Sequence, residues 1–233
     1  DQNTMLKGFG FAIATLSLFL ATAARAQDTA PSLRWCAYLT NGSVQKLASD
    51  PAALEKAPQL LKALNISKVY LEFFRQTSVS NDDVKKVSGA LTQQGFEIAG
   101  GIATLPGENY GVREDAKLGW FNWQAQKTRD DVAKVMSTAA PLFSEIIVDD
   151  FFCTGDMSAE SVAAKGELPW GDYRRALMVQ AAQQSIIVPA KSANPSATLI
   201  MKFPQWYDRF HEFGSDVPAE SAMFDRIWVG TET

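Results

Sequence analysis

Histidine is almost absent from this 233-residue sequence, and that scarcity argues against whole classes of active site. His211 is the single histidine, which counts against histidine-based catalytic triads and against metal sites built from several histidines. Cysteine is equally rare, because the chain has only Cys36 and Cys153 and no C-x-x-C pair. We therefore expect no metal site and no cofactor.

Basic residues are also fewer than acidic residues in this sequence. The chain carries 22 Lys and Arg against 26 Asp and Glu, which gives a formal net charge of −4 and a pI of about 5.1. Proteins that bind nucleic acid or an anionic membrane usually show an excess of basic residues. We therefore expect neither of these partners.

Long apolar stretches are represented by one run near the start of the chain. Met5 and a lysine precede Phe9–Ala24, and the small-x-small tripeptide Ala24-Arg25-Ala26 follows. This order is typical of a secretory signal peptide, and the run is too short for a membrane span. We expect residues 1–26 to comprise upstream residues and a signal peptide, and residues 27–233 to form a secreted or periplasmic catalytic domain.

Strand and helix patterns alternate through the rest of the sequence. Apolar, β-branched runs predict six strands, at Leu33–Thr40, Lys68–Phe74, Phe96–Ile102, Glu145–Phe151, Thr198–Phe203 and Arg226–Thr231. Capped amphipathic segments predict helices at Pro51–Leu64, Asp82–Gln94, Arg129–Leu142, Asp172–Ala193 and Pro204–Phe213. Asn81 and Thr128 are the predicted caps of two of these helices.

This alternation predicts right-handed βαβ units and a curved parallel sheet with its helices outside. An open doubly wound sheet is less favoured, because no Gly-rich phosphate loop follows any strand. We expect a (β/α)8 TIM barrel, C-terminally truncated to about six βα units, and hence a fragment of a longer reading frame. Cys36 and Cys153 lie near the first and fourth strands, which a barrel separates, so two thiols are expected rather than a disulfide.

Two long strand-to-helix loops, Ala103–Lys127 and Phe152–Gly171, mark the end of the barrel where function is expected. Aromatic side chains that suit stacking on sugar rings lie in or near these loops, at Tyr110, Trp120, Phe121, Trp123, Trp170 and Trp206. The alternative is that they form a minor core under the loops. We expect at least one of the six to contact a ligand.

Two adjacent carboxylates, Asp149 and Asp150, end the buried fourth strand. Ligands of parallel α/β sheets bind at the carboxyl ends of the strands, so acids there are candidates for chemistry, although loop-fixing is a common alternative role for Asp. Neighbouring strand residues point to opposite faces. We favour Asp150 as the inward one, because it shares its face with Ile146 and Val148, whereas Asp149 shares its face with the charged Glu145.

The ends of three strands resemble the active-site positions of (β/α)8 glycoside hydrolases, especially the α-galactosidase clan. Asp149 and Asp150 close the fourth strand, Lys202 the fifth and Glu232 the sixth. In that clan an Asp nucleophile ends strand four and a carboxylic acid/base ends strand six. The resemblance covers residues 33–233 in architecture and implies a glycosidase that acts on a carbohydrate.

Two short segments, Met201–Tyr207 and Trp228–Thr233, are similar to uncharacterised glycoside-hydrolase-like bacterial proteins. The chain departs from the clan in lacking its disulfide-bordered substrate loops and in having Glu232 where the clan uses Asp. The resemblance therefore leaves the glycan, the linkage and the anomer open.

Glycoside cleavage needs one protonated and one ionised carboxyl group. We interpret Asp149, Asp150 and Glu232 as the catalytic candidates, with Lys202 stabilising the ionised partner. Strands four and six are separated by one strand, or roughly 10 Å between backbones, so both the retaining and the inverting geometry remain open.

Substrate contacts are expected from Glu72 and Arg75 at the end of the second strand, from Lys202, and from the tryptophans Trp120, Trp123 and Trp206. Glu72 and Arg75 alternatively pair with each other. Two other functions stay open: a barrel enzyme in which Glu72, Asp149, Asp150 and Glu232 hold a divalent cation, and a non-catalytic carbohydrate-binding barrel.

Overall fold

The structure, a computed structural model, describes residues 33–149 and 151–231, and those from Arg34 onward lie in one compact unit. The predicted signal peptide, Asp150 and Glu232 lie outside the described residues. Six parallel strands dominate the unit: β1 (Trp35–Leu39), β2 (Ile66–Arg75), β3 (Glu97–Ala103), β4 (Glu145–Val148), β5 (Thr198–Phe203) and β6 (Arg226–Val229). The six predicted strands are thereby confirmed.

Each strand pairs in parallel with the next one along the chain, from β1 through to β6. A two-residue strand, Thr77–Ser78, folds back antiparallel on the end of β2. Sequential order without a switch point is the order of a (β/α)8 barrel, whereas a doubly wound sheet reverses direction part-way.

The sheet is curled. Three strands separate β2 from β6, which in a flat sheet places them about 19 Å apart at the usual spacing of about 4.8 Å per strand. The rings of Tyr70 on β2 and Trp228 on β6 nevertheless lie 5.1 Å apart between centroids. The six strands therefore form a half-barrel, as the sequence predicts.

Alternate strand residues divide between an outer and an inner layer. The outer layer packs under the helices and holds most of the core, including Leu71, Ile102, Val148 and Met201. A smaller inner layer consists of Tyr70, Ala99, Ile147 and Ile200, with Tyr38 and Trp228 packed against it. The inner layer forms the barrel interior.

Eight α-helices cover the outer side of the described sheet or its loops: α1 (Asn41–Ser49), α2 (Pro51–Ala63), α3 (Asn81–Gln93), α4 (Gln126–Ala139), α5 (Ala159–Lys165), α6 (Trp170–Ala181), α7 (Val188–Ala193) and α8 (Val217–Met223). Three of them, α1, α5 and α8, are absent from the sequence prediction. All three are short, with 9, 7 and 7 residues, so each has only about two turns in which an apolar periodicity can be recognised.

Two predicted caps are displaced. Ser80 rather than Asn81 caps α3, accepting a hydrogen bond from the backbone N–H of Asp83. The helix α4 begins before Thr128, whose buried hydroxyl instead accepts a hydrogen bond from the backbone N–H of Val112 in the long loop. A loop contact thus takes the place of the predicted cap.

The predicted helix Pro204–Phe213 is wrong, because only a single 3-10 turn forms there, at Phe210–Glu212. Two side chains of the segment have long-range partners instead: Trp206 stacks on Trp120, and the Tyr207 hydroxyl donates to the carbonyl of Gly230 at the end of β6. Tertiary contacts override the local helical tendency here.

The predicted helix Asp172–Ala193 is interrupted. A π-helical segment, Ala182–Ile187, separates α6 from α7, and Pro189 follows two residues later. Proline lacks the N–H of an α-helical hydrogen bond and its ring clashes with the carbonyl four residues earlier, so the wider turn accommodates it.

The two cysteines do not form a disulfide with each other: Cys36 is exposed and Cys153 is buried. Across the described part of the chain, no helix combines the length and the apolar character needed to cross a membrane.

Candidate active site

A cavity opens at the C-terminal ends of the strands, on the inner face of the half-barrel. Its volume is about 410 Å³, within the range of small-molecule sites. The lining includes side chains from five of the six strands or the residues just after them: Tyr38, Arg75, Asp149, Lys202, Trp228 and Thr231. The predicted mouth of the barrel is therefore a real concave site.

Asp149 is the carboxylate that the described residues bring into this cavity. Its backbone N–H donates to the carbonyl of Ile102 at 2.9 Å, which continues the pairing of β3 with β4 by one residue. Its Oδ1 accepts a hydrogen bond from the Lys202 Nζ at 3.2 Å, and its Oδ2 lies 3.6 Å from an Arg75 Nη2. Two cations thus flank one largely buried carboxylate.

Glu72 does not reach the cavity, although the sequence predicts it to bind substrate. Its side chain is fully buried and accepts hydrogen bonds from the Tyr38 hydroxyl at 3.0 Å, the Asn41 backbone N–H at 2.6 Å and the Arg75 Nε at 3.0 and 3.1 Å. Both oxygens are therefore engaged. The alternative pairing with Arg75 is what forms, and Glu72 positions Arg75 beside Asp149.

Burial and charge set the protonation of two groups in this cluster. Burial, reinforced by the negative charges of Glu72 and Asp149, raises the pKa of Tyr38 well above its ordinary value. Burial opposes the charge of Arg75, but its hydrogen bonds to Glu72 and that carboxylate's charge raise its pKa overall. Tyr38 is consequently a neutral donor, and Arg75 a permanent cation.

The predicted assignment of faces on β4 is wrong. Ile146 and Val148 belong to the outer core, whereas Ile147 lies in the barrel interior and Asp149 follows it on that side. The preference for Asp150 rested on this assignment, and Asp150 itself lies outside the described residues.

Glu145 explains the error, because it faces the barrel interior despite its charge. It accepts hydrogen bonds from Lys68 at 2.5 Å, from the Tyr70 hydroxyl at 2.7 Å and from Arg226 at 2.5 Å. A buried charge is tolerated when it is paired and hydrogen-bonded in this way. These partners come from β2 and β6, so the run of residues in β4 gives no sign of them.

Three of the six predicted aromatic platforms, Trp120, Phe121 and Trp123, are buried. Trp123 is completely buried and packs against Phe121 and Phe152, so it offers no face to a sugar. Trp120 is 7% exposed and stacks on Trp206, with 5.4 Å between ring centroids and an interplanar angle of 27°. Neither lines the cavity. Trp120 and Trp123 therefore follow the alternative stated above, in which the aromatic residues form a minor core under the loops.

Trp228 is the cavity tryptophan that the sequence analysis overlooked. It lies on the inner face of β6 and retains partial exposure. The signal was present in the strand alternation, because Trp228 and Gly230 share one face of the strand.

The two long loops are fastened to each other by buried acids. Glu114 accepts hydrogen bonds from the backbone N–H groups of Trp120 and Gly155, and burial raises its pKa. Asp156 accepts from the Asp115 N–H and from two serine hydroxyls; burial opposes its charge, but these bonds lower its pKa overall. The loops above the sheet are thereby given a defined shape.

A metal site finds no support in the described part of the chain, where no three potential ligands converge. The oxygens of Glu72 and Asp149 are occupied by Arg75, Lys202 and other donors. Two members of the predicted cation cluster, Asp150 and Glu232, lie outside the described residues.

Comparison with known proteins agrees with the barrel geometry. A family model described as "probable glycosyl hydrolase, catalytic domain" matches residues 22–233. An uncharacterized protein of Saccharolobus solfataricus is 27% identical over 217 residues, which are 84% of this chain and 36% of that protein. The chain thus spans little more than a third of the length of this curated relative.

Two solved structures align with this chain. The GH20 exo-β-N-acetylglucosaminidase of Vibrio harveyi, determined in complex with N-acetylglucosamine, aligns with a TM-score of 0.50 and 11% identity over 85% of this chain and 38% of that chain. The GH53 catalytic domain of Ignisphaera aggregans aligns with a TM-score of 0.47 and 12% identity over 86% of this chain and 61% of that one. At this identity the likeness to the Vibrio enzyme is one of fold alone.

Proposed function

Because this chain belongs to the family described as probable glycosyl hydrolase, catalytic domain, we propose that it hydrolyses glycosidic bonds in the cavity at the C-terminal ends of its strands. The observation that carries this proposal is the position of Asp149. Its carboxylate faces the cavity between the cations of Arg75 and Lys202, and the aromatic side chain of Trp228 lines the same cavity.

The proposed chemistry divides the two required roles between strand ends. Asp149, whose charge two cations balance, serves as the ionised nucleophile or base. Glu232 serves as the acid; Gly230 and Thr231, which precede it directly, line the cavity. Asp150 remains the alternative to Asp149.

Substrate recognition is proposed for the cations and for the aromatic residues on the same side of the barrel. Lys202 and Arg75 are placed to donate hydrogen bonds to sugar hydroxyls beside Asp149. Trp206 follows β5 and is only partly buried, so it is the better candidate of the stacked pair Trp120 and Trp206 for a contact outside the cavity.

Export is proposed from the sequence of residues 5–26. A protein expressed with this segment in a Gram-negative host should appear in the periplasm with Gln27 at its N-terminus. N-terminal sequencing of the periplasmic fraction tests the cleavage. Retention of the uncleaved chain in the cytoplasm would count against export.

The experiment that tests the enzymatic proposal compares matched carboxylate variants. Asp149→Asn, Asp150→Asn and Glu232→Gln are assayed with a panel of 4-nitrophenyl glycosides, with Asp172→Asn on the surface of α6 as the control. We expect Asp149→Asn and Glu232→Gln to lower kcat by several orders of magnitude while sugar binding persists. Full activity of both Asp149→Asn and Asp150→Asn would end the proposal, and sugar binding without turnover in the unaltered protein would indicate a carbohydrate-binding barrel.

A further inference from the structure

Three aromatic side chains, Tyr38, Tyr70 and Trp228, form an aromatic wall of the cavity next to the charged cluster. The rings of Tyr38 and Tyr70 lie 6.4 Å apart at an interplanar angle of 19°, and the Trp228 indole meets Tyr70 edge-on at 5.1 Å. Tyr38 and Tyr70 also point their hydroxyls at Glu72 and Glu145. Because those polar ends already have partners, the wall presents an apolar surface to the cavity.

Trp228 adjoins the charged cluster through its strand neighbour Lys202, as Tyr38 does through its hydrogen bond to Glu72. Lys202 on β5 and Trp228 on β6 are direct partners in the parallel pairing, and both point inward. The Lys202 ammonium in turn binds Asp149. The indole therefore stands beside the ion pair that contains the proposed nucleophile.

The exposure of Trp228 distinguishes it from a core tryptophan. Trp123 is 0% exposed, and the inner-layer residues Tyr70, Ile147 and Ile200 are 1–2% exposed. Trp228 packs against that layer yet remains partly open to the cavity. A large aromatic surface left accessible next to paired charges suits a ligand with one apolar face and polar edges.

We infer that Trp228 is the specificity-determining platform for the sugar residue that reacts at Asp149, an inference that rests on the proposed function. The C–H face of a neutral pyranose would lie on the indole, and the hydroxyls on its edge would meet Lys202 and Arg75. The ligand class is thus a neutral sugar ring held by stacking.

Three substitutions of Trp228 distinguish stacking of its ring on a sugar from packing of its side chain within the barrel. Trp228→Ala removes the platform, Trp228→Leu keeps apolar bulk without a ring, and Trp228→Phe keeps a smaller ring. On the 4-nitrophenyl glycoside turned over best, we expect KM to rise at least tenfold for the Ala and Leu variants with kcat changed less than threefold, and Phe to restore most of the affinity. Trp35→Leu, at an exposed residue of β1 that does not line the cavity, is the control and should leave KM unchanged.

A binding measurement keeps the inference testable if an Ala variant folds poorly. In Asp149→Asn protein, titration with the free sugar should change the tryptophan fluorescence, and that change should vanish with an added Trp228→Phe but not with Trp35→Phe. Unaltered KM in Trp228→Leu, or a fluorescence change that survives Trp228→Phe, would overturn the inference. Absence of hydrolysis and of sugar binding in the unaltered protein would instead refute the proposed function.

Discussion

At the scale of single residues, Glu72 was predicted to bind substrate, but in the structure it supports neighbouring groups. It is completely buried and holds Arg75, Tyr38 and the start of α1 through the Asn41 N–H. From the sequence, Glu72 and Arg75 could either bind substrate or pair with each other. They pair because Tyr38 and Asn41, which lie some 30 residues away in the sequence, bind Glu72 and keep it away from the cavity.

Replacing Glu72 should therefore cost stability as well as activity. In Glu72→Gln the partly buried Arg75 loses the nearer of its two carboxylate partners, and we expect the free energy of unfolding to fall by about 2–3 kcal/mol. Urea denaturation measures this loss, with Glu108→Gln in an exposed loop as the control. A change in Glu72→Gln no larger than in the control would show that Arg75 does not depend on this carboxylate.

Glu220 on α8 is a second buried acid, and neither of its oxygens has a hydrogen bond of good geometry within the described structure. Burial raises the pKa of Glu220 from 4.5 to about 8, because its effect is larger than the lowering effect of the nearby Asp216 backbone. The folded chain therefore keeps a proton that the unfolded chain releases, and this difference destabilises the fold as pH rises between those two values.

Removing this charge should make the protein more stable at high pH. We expect Glu220→Gln and the unaltered protein to have similar stability near pH 4. The gap should then widen in favour of the variant by up to about 1.4 kcal/mol per pH unit until about pH 8. Denaturation curves across this pH range measure it, and a pH-independent difference would contradict the burial argument.

At the scale of elements, a network of charged side chains joins three strands near their N-terminal ends, inside the barrel. Glu145 on β4 binds Lys68 and Tyr70 on β2 and Arg226 on β6. The side chains of Glu145 and Lys68 are 9% and 12% exposed, whereas that of Arg226 is 60% exposed. The two ion pairs of Glu145 should therefore differ in strength.

We expect Glu145→Gln to lower the free energy of unfolding by about 2–4 kcal/mol, because Tyr70 and Lys68 lose a buried charged acceptor. Arg226→Met should cost less than about 1 kcal/mol, since its ion pair is largely solvated. Thermal and urea unfolding of the two variants test this order. Equal losses would mean that the exposed pair holds β6 in place as firmly as the buried one holds β2.

At the scale of the whole molecule, the half-barrel leaves two strands with a single partner. Within the described residues β1 pairs only with β2, and β6 pairs only with β5. Apolar residues on these strands are exposed, Trp35 by 59% and Val229 by 57%. Unpaired strand edges of this kind are templates for association with other chains.

The 233-residue chain should accordingly self-associate as its concentration rises. Light scattering coupled to gel filtration measures the mass. Val229→Lys should reduce association, because a charged residue on an edge strand opposes pairing with another chain. A monodisperse monomer at every concentration would be the contrary result.

The sequence determined the strands and the end of the sheet at which the cavity lies. The β-branched runs and their spacing suffice for β2, β5 and the order of the six strands, because these depend on local periodicity and on the handedness of βαβ units. The C-terminal ends of parallel strands meet at one edge, so Asp149, Lys202 and Arg75 converge as predicted.

Only the tertiary structure decided which side of each strand faces the cavity and which aromatic residues remain open. Glu145 faces inward because Lys68 and Arg226 neutralise it, and Trp123 is buried because Phe121 and Phe152 enclose it. Alternation along a strand defines two faces but does not identify the inner one. That choice depends on contacts between residues far apart in the sequence, which compensate a buried charge or close over a ring only once the sheet has curled.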